Sequence, residues 1–190
     1  MTDTNDLEAA VDAAEEFGGV EIMVNNAGVF RDEEFLDVTE EDYYQLMDIN
    51  SKGVFFGSQA AAKRMTNRDR GGSIINISSV AGLEGSGEYV TYCASKGAVR
   101  LMTYALASTL GPDGIRVNAI HPGIIETTMT TEDVPIVGTD LGDQFLETVP
   151  LRRNGQPEDV ADTAVLLSSD LASYVSGTSF VVDGGMTNTQ

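Results

Sequence analysis

Three side chains in one short stretch have the types and the spacing needed for proton transfer. Tyr92 and Lys96 stand four residues apart, and residues at i and i+4 of a helix share one face. A phenol ordinarily titrates near pH ~10, so an ammonium group that stabilises the phenolate would lower the pKa of Tyr92 and make it a usable general acid or base. Ser79, at the end of the preceding strand, would hydrogen-bond the reacting oxygen. The alternative is a tyrosine packed on the core beside a lysine in solvent.

The composition limits the classes of partner. The chain has 190 residues, enough for one domain with a sizeable core, and a net charge of −19. Such an acidic surface repels phosphate backbones and anionic lipids, so we expect no nucleic-acid or membrane partner. The balance of 30 acidic against 11 basic residues also suggests a halophilic protein that stays soluble at high salt.

Cysteine and histidine are too few for a disulfide framework or a zinc site. The sequence holds one cysteine, Cys93, and one histidine, His121. We interpret Cys93 as a small helix residue and His121 as a loop residue. No apolar run approaches the length of a membrane span, and the acidic start lacks the basic, then apolar, pattern of a signal peptide. These features predict a cytoplasmic protein with no metal.

The hydrophobic pattern predicts alternating helices and strands. Residues 127–149 are acidic and show little periodicity, so we expect a mobile flap there with one short helix near 140–147. Helix caps are expected at Asn5 and Thr39, and Asn50 is a polar interruption within the second helix. The predicted helices are Thr4–Phe17, Glu40–Met65, Glu88–Leu110 and Pro157–Leu167, and the predicted strands are Val20–Val24, Ser73–Ser78, Ile115–Ile120 and Thr178–Val182.

Alternation of this kind predicts an α/β fold with a parallel sheet and helices on both faces. Ligands of such sheets bind outside the carboxyl ends of the strands. The candidate residues fall at those ends, with 25–28 after the first strand, Ser79 after the second and Pro122-Gly123 after the third. Tyr92 and Lys96 begin the helix that follows the loop after the second strand.

Over nearly its whole length the chain resembles the short-chain dehydrogenase/reductase family. The matching residues are Asn25-Asn26-Ala27-Gly28, Asn50 in INSKGVF, Ser79 in NISS, Tyr92-Cys93-Ala94-Ser95-Lys96, Pro122-Gly123 with Thr127, and Asp183-Gly184-Gly185. The resemblance implies a doubly wound Rossmann-type sheet, a small-molecule alcohol or ketone substrate, and hydride transfer to or from NAD or NADP. It also implies a homo-oligomer, a tetramer or dimer, with contacts through the two long helices and the last strand. Val99, Met102 and Leu106 are apolar residues that permit such contacts.

The same resemblance implies a role for each matched residue. Tyr92 would be the acid/base, Ser79 would hold the substrate oxygen, Lys96 would bind the nicotinamide ribose and Asn50 would position a water in a proton relay. The implied cofactor-binding set is Asn25, Asn26, Ala27, Gly28, Tyr92, Lys96, Pro122, Gly123, Ile125 and Thr127. Simpler interpretations stay open: Asn50 as a helix kink, Thr127 as a solvent-exposed hydroxyl, and Asn25-Asn26 as residues that tie the sheet together.

One part of the family pattern is missing from this sequence. The family begins with a strand and a glycine-rich turn that binds the pyrophosphate, and nothing before Asn25 matches it. Gly82, Gly85 and Gly87 have the reversed spacing and belong to the loop beside Ser79. We therefore expect residues 1–190 to form a single, N-terminally truncated domain that supplies family strands 4 to 7. The strand Val20–Val24 would then be an exposed apolar edge.

The sequence leaves two classes of function open. The first is an NAD(P)-dependent oxidoreductase, and the second is a non-catalytic homologue or gene fragment that no longer binds a dinucleotide. A narrower enzyme alternative is reduction of 3-oxoacyl groups on an acyl carrier protein. That alternative ranks below small alcohols, sugars and ketones because the flap would repel an acidic carrier through Glu126, Glu132, Asp133, Asp140, Asp143 and Glu147.

Overall fold

A computed structural model describes residues 3–66 and 71–187. In these residues four parallel strands form one sheet in the order β1-β2-β3-β4. They are β1 (Ile22–Asn25), β2 (Gly72–Ile77), β3 (Ile115–Pro122) and β4 (Ser179–Val182). The predicted α/β fold with a parallel sheet is confirmed. Strand β3 runs two residues further than predicted, because His121 and Pro122 pair with Val181 and Val182.

Within the described ranges, six α-helices connect and flank the strands. They are α1 (Thr4–Ala13), α2 (Glu40–Met47), α3 (Gly53–Thr66), α4 (Val90–Leu110), α5 (Asp140–Thr148) and α6 (Pro157–Ser168). Thr39 caps α2 as predicted, since its hydroxyl accepts from the Asp42 amide. The cap of α1 is Asp3, whose carboxylate accepts from the Asn5 amide at 2.8 Å. The prediction that Asn5 is this cap was therefore wrong.

The predicted interruption around Asn50 is a π-helical segment. Residues Asp48–Lys52 form this wider turn between α2 and α3, so one continuous helical region runs from Glu40 to Thr66. Single π-helical turns inside α-helices are frequent at functional sites. The turn brings the Asn50 side chain into the interior, where it is fully buried.

Apolar side chains alternate between the two faces of the sheet and form two core layers. On one face Ile74 and Val117 pack against the α3 side chains Ala61 and Met65. On the other face Ile75 and Ile120 pack against Leu167 and Ala172, which belong to α6 and the turn after it. Helices therefore cover both faces, as the strand–helix alternation predicted.

Strand β1 lies at the edge of the sheet and is covered on one face. Its Asn25 is buried, whereas Ile22 and Val24 are 51% and 43% exposed. The other face of this strand is open, because α6 packs on β2 and β3 rather than over β1. The exposed apolar edge that we expected at this strand is confirmed.

The segment 127–149 contains more local structure than its composition suggested. A π-helical turn spans Met129–Asp133, and the predicted short helix is present as α5. Thr139 caps the N-terminus of α5 in the same way as Thr39 caps α2. The Thr139 hydroxyl accepts from the Gly142 amide at 3.1 Å. The mobility and the flap role of this segment stay predictions.

Candidate active site

A cleft of about 740 Å³ opens at the carboxyl ends of the strands. Its walls come from the loops after β1, β2 and β3, from the first turns of α4, and from α6. Of the residues predicted for the site, those that line this cleft are Asn26, Ala27, Gly28, Ser79, Tyr92, Lys96, Pro122, Gly123, Ile125 and Thr127. Asn25 and Asn50 do not line the cleft, because both side chains are buried beneath its walls.

Ser79 is held in an extended conformation just beyond β2. The Ser78 amide continues the sheet ladder to the Ile120 carbonyl at 2.8 Å. The Ser79 hydroxyl accepts from the Ala81 amide at 3.1 Å, and hydrogen bonding by the Ser79 side chain lowers the pKa of Tyr92. The serine at the strand end therefore meets the tyrosine thirteen positions later.

Tyr92 lies in a largely apolar corner of the cleft. The ring of Phe30 meets the Tyr92 ring edge-on, with the two centroids 4.9 Å apart. Burial raises the pKa of Tyr92 to about 12, and the hydrogen bond with Ser79 lowers it only in part. The pKa of Tyr92 therefore lies above its ordinary value in this structure, because the loss of hydration outweighs the lowering contributions, and the expected lowering by Lys96 stays a prediction.

Lys96 is buried, with 4% of its surface exposed. Its ammonium donates to the Ile77 carbonyl at 3.1 Å and lies 5.6 Å from the centroid of the Tyr92 ring. Burial lowers the pKa of Lys96 to about 8, since a low-dielectric environment disfavours the charged form. The expected placement of Tyr92 and Lys96 on one helix face is confirmed, and the alternative of a lysine in solvent is excluded.

Asn50 fixes the loop that follows β1. Its Oδ1 accepts from the Val29 amide at 2.8 Å, and its Nδ2 donates to the Val29 carbonyl at 2.9 Å and to Ser95 Oγ at 3.2 Å. A Cβ atom on the adjacent Gly28 would lie 3.3 Å from both Asn50 Oδ1 and Lys96 Nζ. Glycine at this position therefore leaves room for a ligand group beside the lysine.

The two neighbouring asparagines after β1 have opposite environments. Asn25 is 2% exposed, and its Nδ2 donates to Ser58 Oγ at 3.0 Å and to Asn76 Oδ1 at 2.8 Å. Asn26 is exposed and lines the cleft. Since successive strand residues point to opposite sides, Asn25 ties the sheet to α3, as its simpler interpretation stated. The prediction that Asn25 lines the cofactor pocket was wrong.

The loop after β3 forms the opposite wall. A Cβ atom on Gly123 would lie 2.9 Å from Asp183 Cβ, so the close approach of these two segments requires glycine. Ile125 is buried, and its carbonyl accepts from Thr130 Oγ1 at 2.6 Å. Thr127 is exposed at the rim, and its role in binding a ligand stays a prediction.

His121 is the residue that sequence reasoning missed. It lies within β3, is fully buried, and contacts the Ser79 carbonyl and the Ser179 hydroxyl. The interpretation as a loop residue was wrong, because the strand extends through His121 before Pro122-Gly123 turns the chain. Its position directly after the predicted strand Ile115–Ile120 was the available signal.

Two further findings concern metals and membranes. Among residues 3–66 and 71–187, no group of three or more histidine, cysteine, aspartate or glutamate side chains is placed to hold a metal ion. None of the helices in those same ranges has the length and apolar character needed to cross a bilayer.

Comparison with known proteins identifies the family. Residues 1–187 match the family model described as "Enoyl-(Acyl carrier protein) reductase". An L-rhamnose-1-dehydrogenase of Scheffersomyces stipitis is 41% identical over 175 residues, which are 92% of this chain and 67% of that protein. The chain belongs to the NAD(P)-dependent short-chain dehydrogenase/reductase family. The resemblance inferred from the motifs is thus confirmed.

Other members of this short-chain dehydrogenase/reductase family show the same extent of similarity. An L-2,3-butanediol dehydrogenase of Corynebacterium glutamicum is 40% identical over 194 residues, covering 98% of this chain and 75% of that protein. The crystal structure of a gluconate 5-dehydrogenase from Burkholderia cenocepacia, in complex with NADP and tartrate, superposes with a TM-score of 0.92 at 32% identity. That match covers 100% of this chain and 73% of the solved one.

Proposed function

We propose that this chain carries the catalytic site of an oxidoreductase that interconverts an alcohol and a ketone by hydride transfer with NAD or NADP. The observation that carries the proposal is the meeting of Ser79, Tyr92 and Lys96 in one cleft at the carboxyl edge of the sheet. The relatives support it, because they are named dehydrogenases of sugar and diol substrates.

The residues along one wall fit the nicotinamide side of the cofactor. Lys96 offers a buried ammonium with one hydrogen bond to protein, at Ile77, and an ammonium has three donors. Gly28 leaves the space beside that ammonium open. We infer that Lys96 binds the ribose hydroxyls, that Asn26, Ala27 and Gly28 line the same wall, and that Pro122, Gly123, Ile125 and Thr127 meet the nicotinamide. When bound, the nicotinamide supplies or accepts the hydride.

Tyr92 is the general acid of the reduction direction. With a pKa of about 12, the phenol carries its proton at neutral pH and can donate it to the carbonyl oxygen as the alcohol forms. In the oxidation direction the phenol must first lose that proton, and the positive charges of Lys96 and of the oxidised nicotinamide ring would favour this loss. Ser79 hydrogen-bonds the same substrate oxygen and so orients it towards Tyr92.

Asn50 supports the site through the backbone it clamps. Its contacts with Val29 and Ser95 hold the loop after β1 against α4. We propose that Asn50 thereby fixes the wall beside Lys96, in addition to the water-positioning role implied by the family.

The flap of residues 127–149 would select the substrate, with small alcohols, sugars and ketones ranked above an acyl group on an acidic carrier protein.

The cofactor proposal is tested by titrating the purified chain with NADH and NADPH at high salt and following the nucleotide fluorescence. Binding below about millimolar supports it, and the ratio of the two affinities gives the cofactor preference. The absence of binding up to that concentration would favour the alternative hypothesis, a non-catalytic homologue that does not bind a dinucleotide. Reduced nicotinamide mononucleotide is the matched probe for the nicotinamide side of the cleft. It carries the nicotinamide and its ribose but lacks the adenosine of NADH and NADPH.

The catalytic proposal is tested by Tyr92→Phe and Ser79→Ala under conditions in which the wild type turns over. Each variant should lower kcat by at least about a hundredfold while cofactor binding is retained. Tyr174→Phe is the matched control, since Tyr174 is fully exposed on the surface. Full activity in Tyr92→Phe would overturn the assignment.

We also infer that the chain forms a homo-oligomer through its helix surfaces. Phe55 on α3 and Leu101 on α4 are 43% and 67% exposed. Two of the three residues that we expected in such contacts are unsuitable, because Val99 is fully buried and Leu106 packs on the core. Sedimentation of the wild type and of Leu101→Glu tests the interface, and an unchanged association state in the variant would contradict it.

A further inference from the structure

His121 connects the last strand to the catalytic serine. It is the single histidine of the sequence and is fully buried in β3. Its Nδ1 lies 2.8 Å from the carbonyl oxygen of Ser79, and its Nε2 lies 2.9 Å from Oγ of Ser179 at the start of β4. The ring therefore touches the backbone of the residue whose side chain hydrogen-bonds Tyr92.

The chemistry of the partners selects one tautomer of the ring. A carbonyl oxygen can only accept, so Nδ1 carries a proton and donates it to Ser79. In the neutral ring Nε2 then accepts from the Ser179 hydroxyl. Ser179 Oγ lies 2.8 Å from the hydroxyl oxygen of Tyr104, which must be the donor, and Arg100 Nε donates to that oxygen at 3.0 Å. One directional chain of hydrogen bonds thus runs from Arg100 to Ser79.

Protonation of His121 would break the direction of this chain. A second ring proton, on Nε2, would face Ser179 Oγ and turn the Ser179 proton towards Tyr104, whose own proton would lose its acceptor. The surroundings oppose that change: burial lowers the pKa of His121, and the positive charges of Arg100 and Lys96 on α4 lower it further, while the hydrogen bond to Ser79 raises it. The two groups that hydrogen-bond the ring are uncharged: the Ser79 carbonyl in the loop after β2 and the Ser179 hydroxyl in β4.

The Ser79 carbonyl is a well-defined anchor for the loop. It accepts from the Gly82 amide at 2.9 Å in addition to His121, and the Ser79 hydroxyl accepts from the Ala81 amide at 3.1 Å. Loss of the His121 donor would leave this carbonyl with the Gly82 amide and without its second partner in the interior, which costs free energy. Rotation of the Ser79 peptide would relieve that cost and move the hydroxyl away from Tyr92.

We propose that His121 is a positioning residue for Ser79, which it holds through its Nδ1 proton while Ser179 and Tyr104 maintain that tautomer. The inference rests on the catalytic role of Ser79 in the proposed function. It assigns the neutral histidine to the support of the serine rather than to proton transfer with the substrate.

The tautomer is tested by nitrogen-15 NMR of the imidazole. Because the chain has one histidine, its ring signals need no assignment. We expect the neutral Nδ1–H form at pH 7 in the wild type and in Tyr174→Phe, because the Ser79 carbonyl can only accept and the Ser179 hydroxyl donates to Nε2. A wild-type ring in the Nε2–H form, or a ring protonated on both nitrogens at pH 7, would overturn the proposal.

The positioning role is tested with two isosteric variants. The amide nitrogen of His121→Asn can replace Nδ1 and still donate to Ser79, whereas that of His121→Gln reaches the Nε2 position and abandons the carbonyl. Hydrogen exchange should speed up at Ala81 and Gly82 by about tenfold in His121→Gln and by much less in His121→Asn, with Ile75 as the core reference. His121→Gln should also lower kcat about tenfold with little change in KM.

The exchange measurement separates this inference from the proposed function. It requires neither cofactor nor turnover, so an inactive wild type would refute the function and leave the positioning role to be decided by the exchange rates. Equal effects of the two variants at Ala81 and Gly82, or changes that simply follow Ile75, would overturn the positioning role.

Discussion

The ammonium of Lys96 lies 5.6 Å from the centroid of the Tyr92 ring and donates its hydrogen bond to the Ile77 carbonyl. Burial shifts the pKa values of both side chains towards their neutral forms, to about 8 for Lys96 and to about 12 for Tyr92. At neutral pH the pair is therefore a protonated phenol beside a buried, charged amine. This environment is costly for folding and suits a site that must later receive a polar ligand.

The first prediction concerns the stability cost of Lys96. Its pKa falls from 10.5 to about 8 on folding, a change of about 3 kcal/mol against the folded state. Lys96→Met removes this cost and one hydrogen bond, which is worth about 1 kcal/mol. We expect a net gain in unfolding free energy of roughly 1–2 kcal/mol at pH 7, measured by urea denaturation, together with loss of turnover.

The pH dependence gives this prediction its sign. A lysine whose folded pKa is lowered destabilises the fold fully below pH 8, and the penalty fades as the pH rises towards 10.5. The advantage of Lys96→Met should therefore shrink between those two values. Lys52→Met is the control, because Lys52 is partly exposed in an ion pair with Asp48 and should change stability little. Destabilisation by Lys96→Met at pH 7 would contradict the prediction.

The second prediction concerns the titration of Tyr92. Because burial raises its pKa to about 12, Tyr92 should ionise well above the ordinary value of ~10 for a phenol in an ultraviolet difference titration. Comparison of the wild type with Tyr92→Phe isolates its contribution. A Tyr92 transition at or below the ordinary value in the free protein would show that Lys96 outweighs burial. The rate of alcohol oxidation should rise with pH, because that direction needs the phenolate.

The third prediction concerns the contact of the loop after Ser79 with α4. A Cβ atom on Gly82 would lie 2.7 Å from the backbone carbonyl oxygen of Lys96. This oxygen cannot shift aside, because it belongs to the backbone of α4. Gly82→Ala should destabilise the fold by roughly 1–3 kcal/mol and lower kcat, because it separates Ser79 from Tyr92. Gly85→Ala, in the same loop, meets no atom within 4 Å and should be nearly neutral in thermal unfolding and activity. Equal effects of the two variants would contradict the steric explanation.

The fourth prediction separates the two adjacent asparagines. Asn25→Ala removes buried hydrogen bonds to Ser58 and Asn76, so the unfolding free energy should fall by roughly 2–3 kcal/mol. Asn26→Ala removes an exposed side chain and should leave stability within about 0.5 kcal/mol of the wild type, while it weakens nucleotide binding. Denaturation and nucleotide titration on both variants check this, and a stability loss confined to Asn26→Ala would reverse the assignment.

The sequence by itself determined the elements and the identity of the site. Periodicities of 3.6 and 2 residues are local properties, so the four strands of the described residues and five helical regions were predicted with small errors at their ends. One of those regions divides into α2 and α3 in the structure. The i, i+4 spacing placed Tyr92 and Lys96 on one face, and Thr39 was recognised as a cap because capping is a contact within one turn. The cap of α1 was misplaced by two residues, since Asp3 and Asn5 have the same capacity to accept a hydrogen bond.

Only the tertiary structure decided which groups are buried together. Asn25 joins the interior because it pairs in register with Asn76, which is 51 residues away. His121 meets Ser179 because β3 and β4 are neighbours, across 58 residues. The pKa of Tyr92 depends on the loss of water around the ring, which several distant segments produce. Burial and strand register depend on contacts across the whole fold. Residue types and spacing could therefore name the candidate catalytic groups but not their protonation.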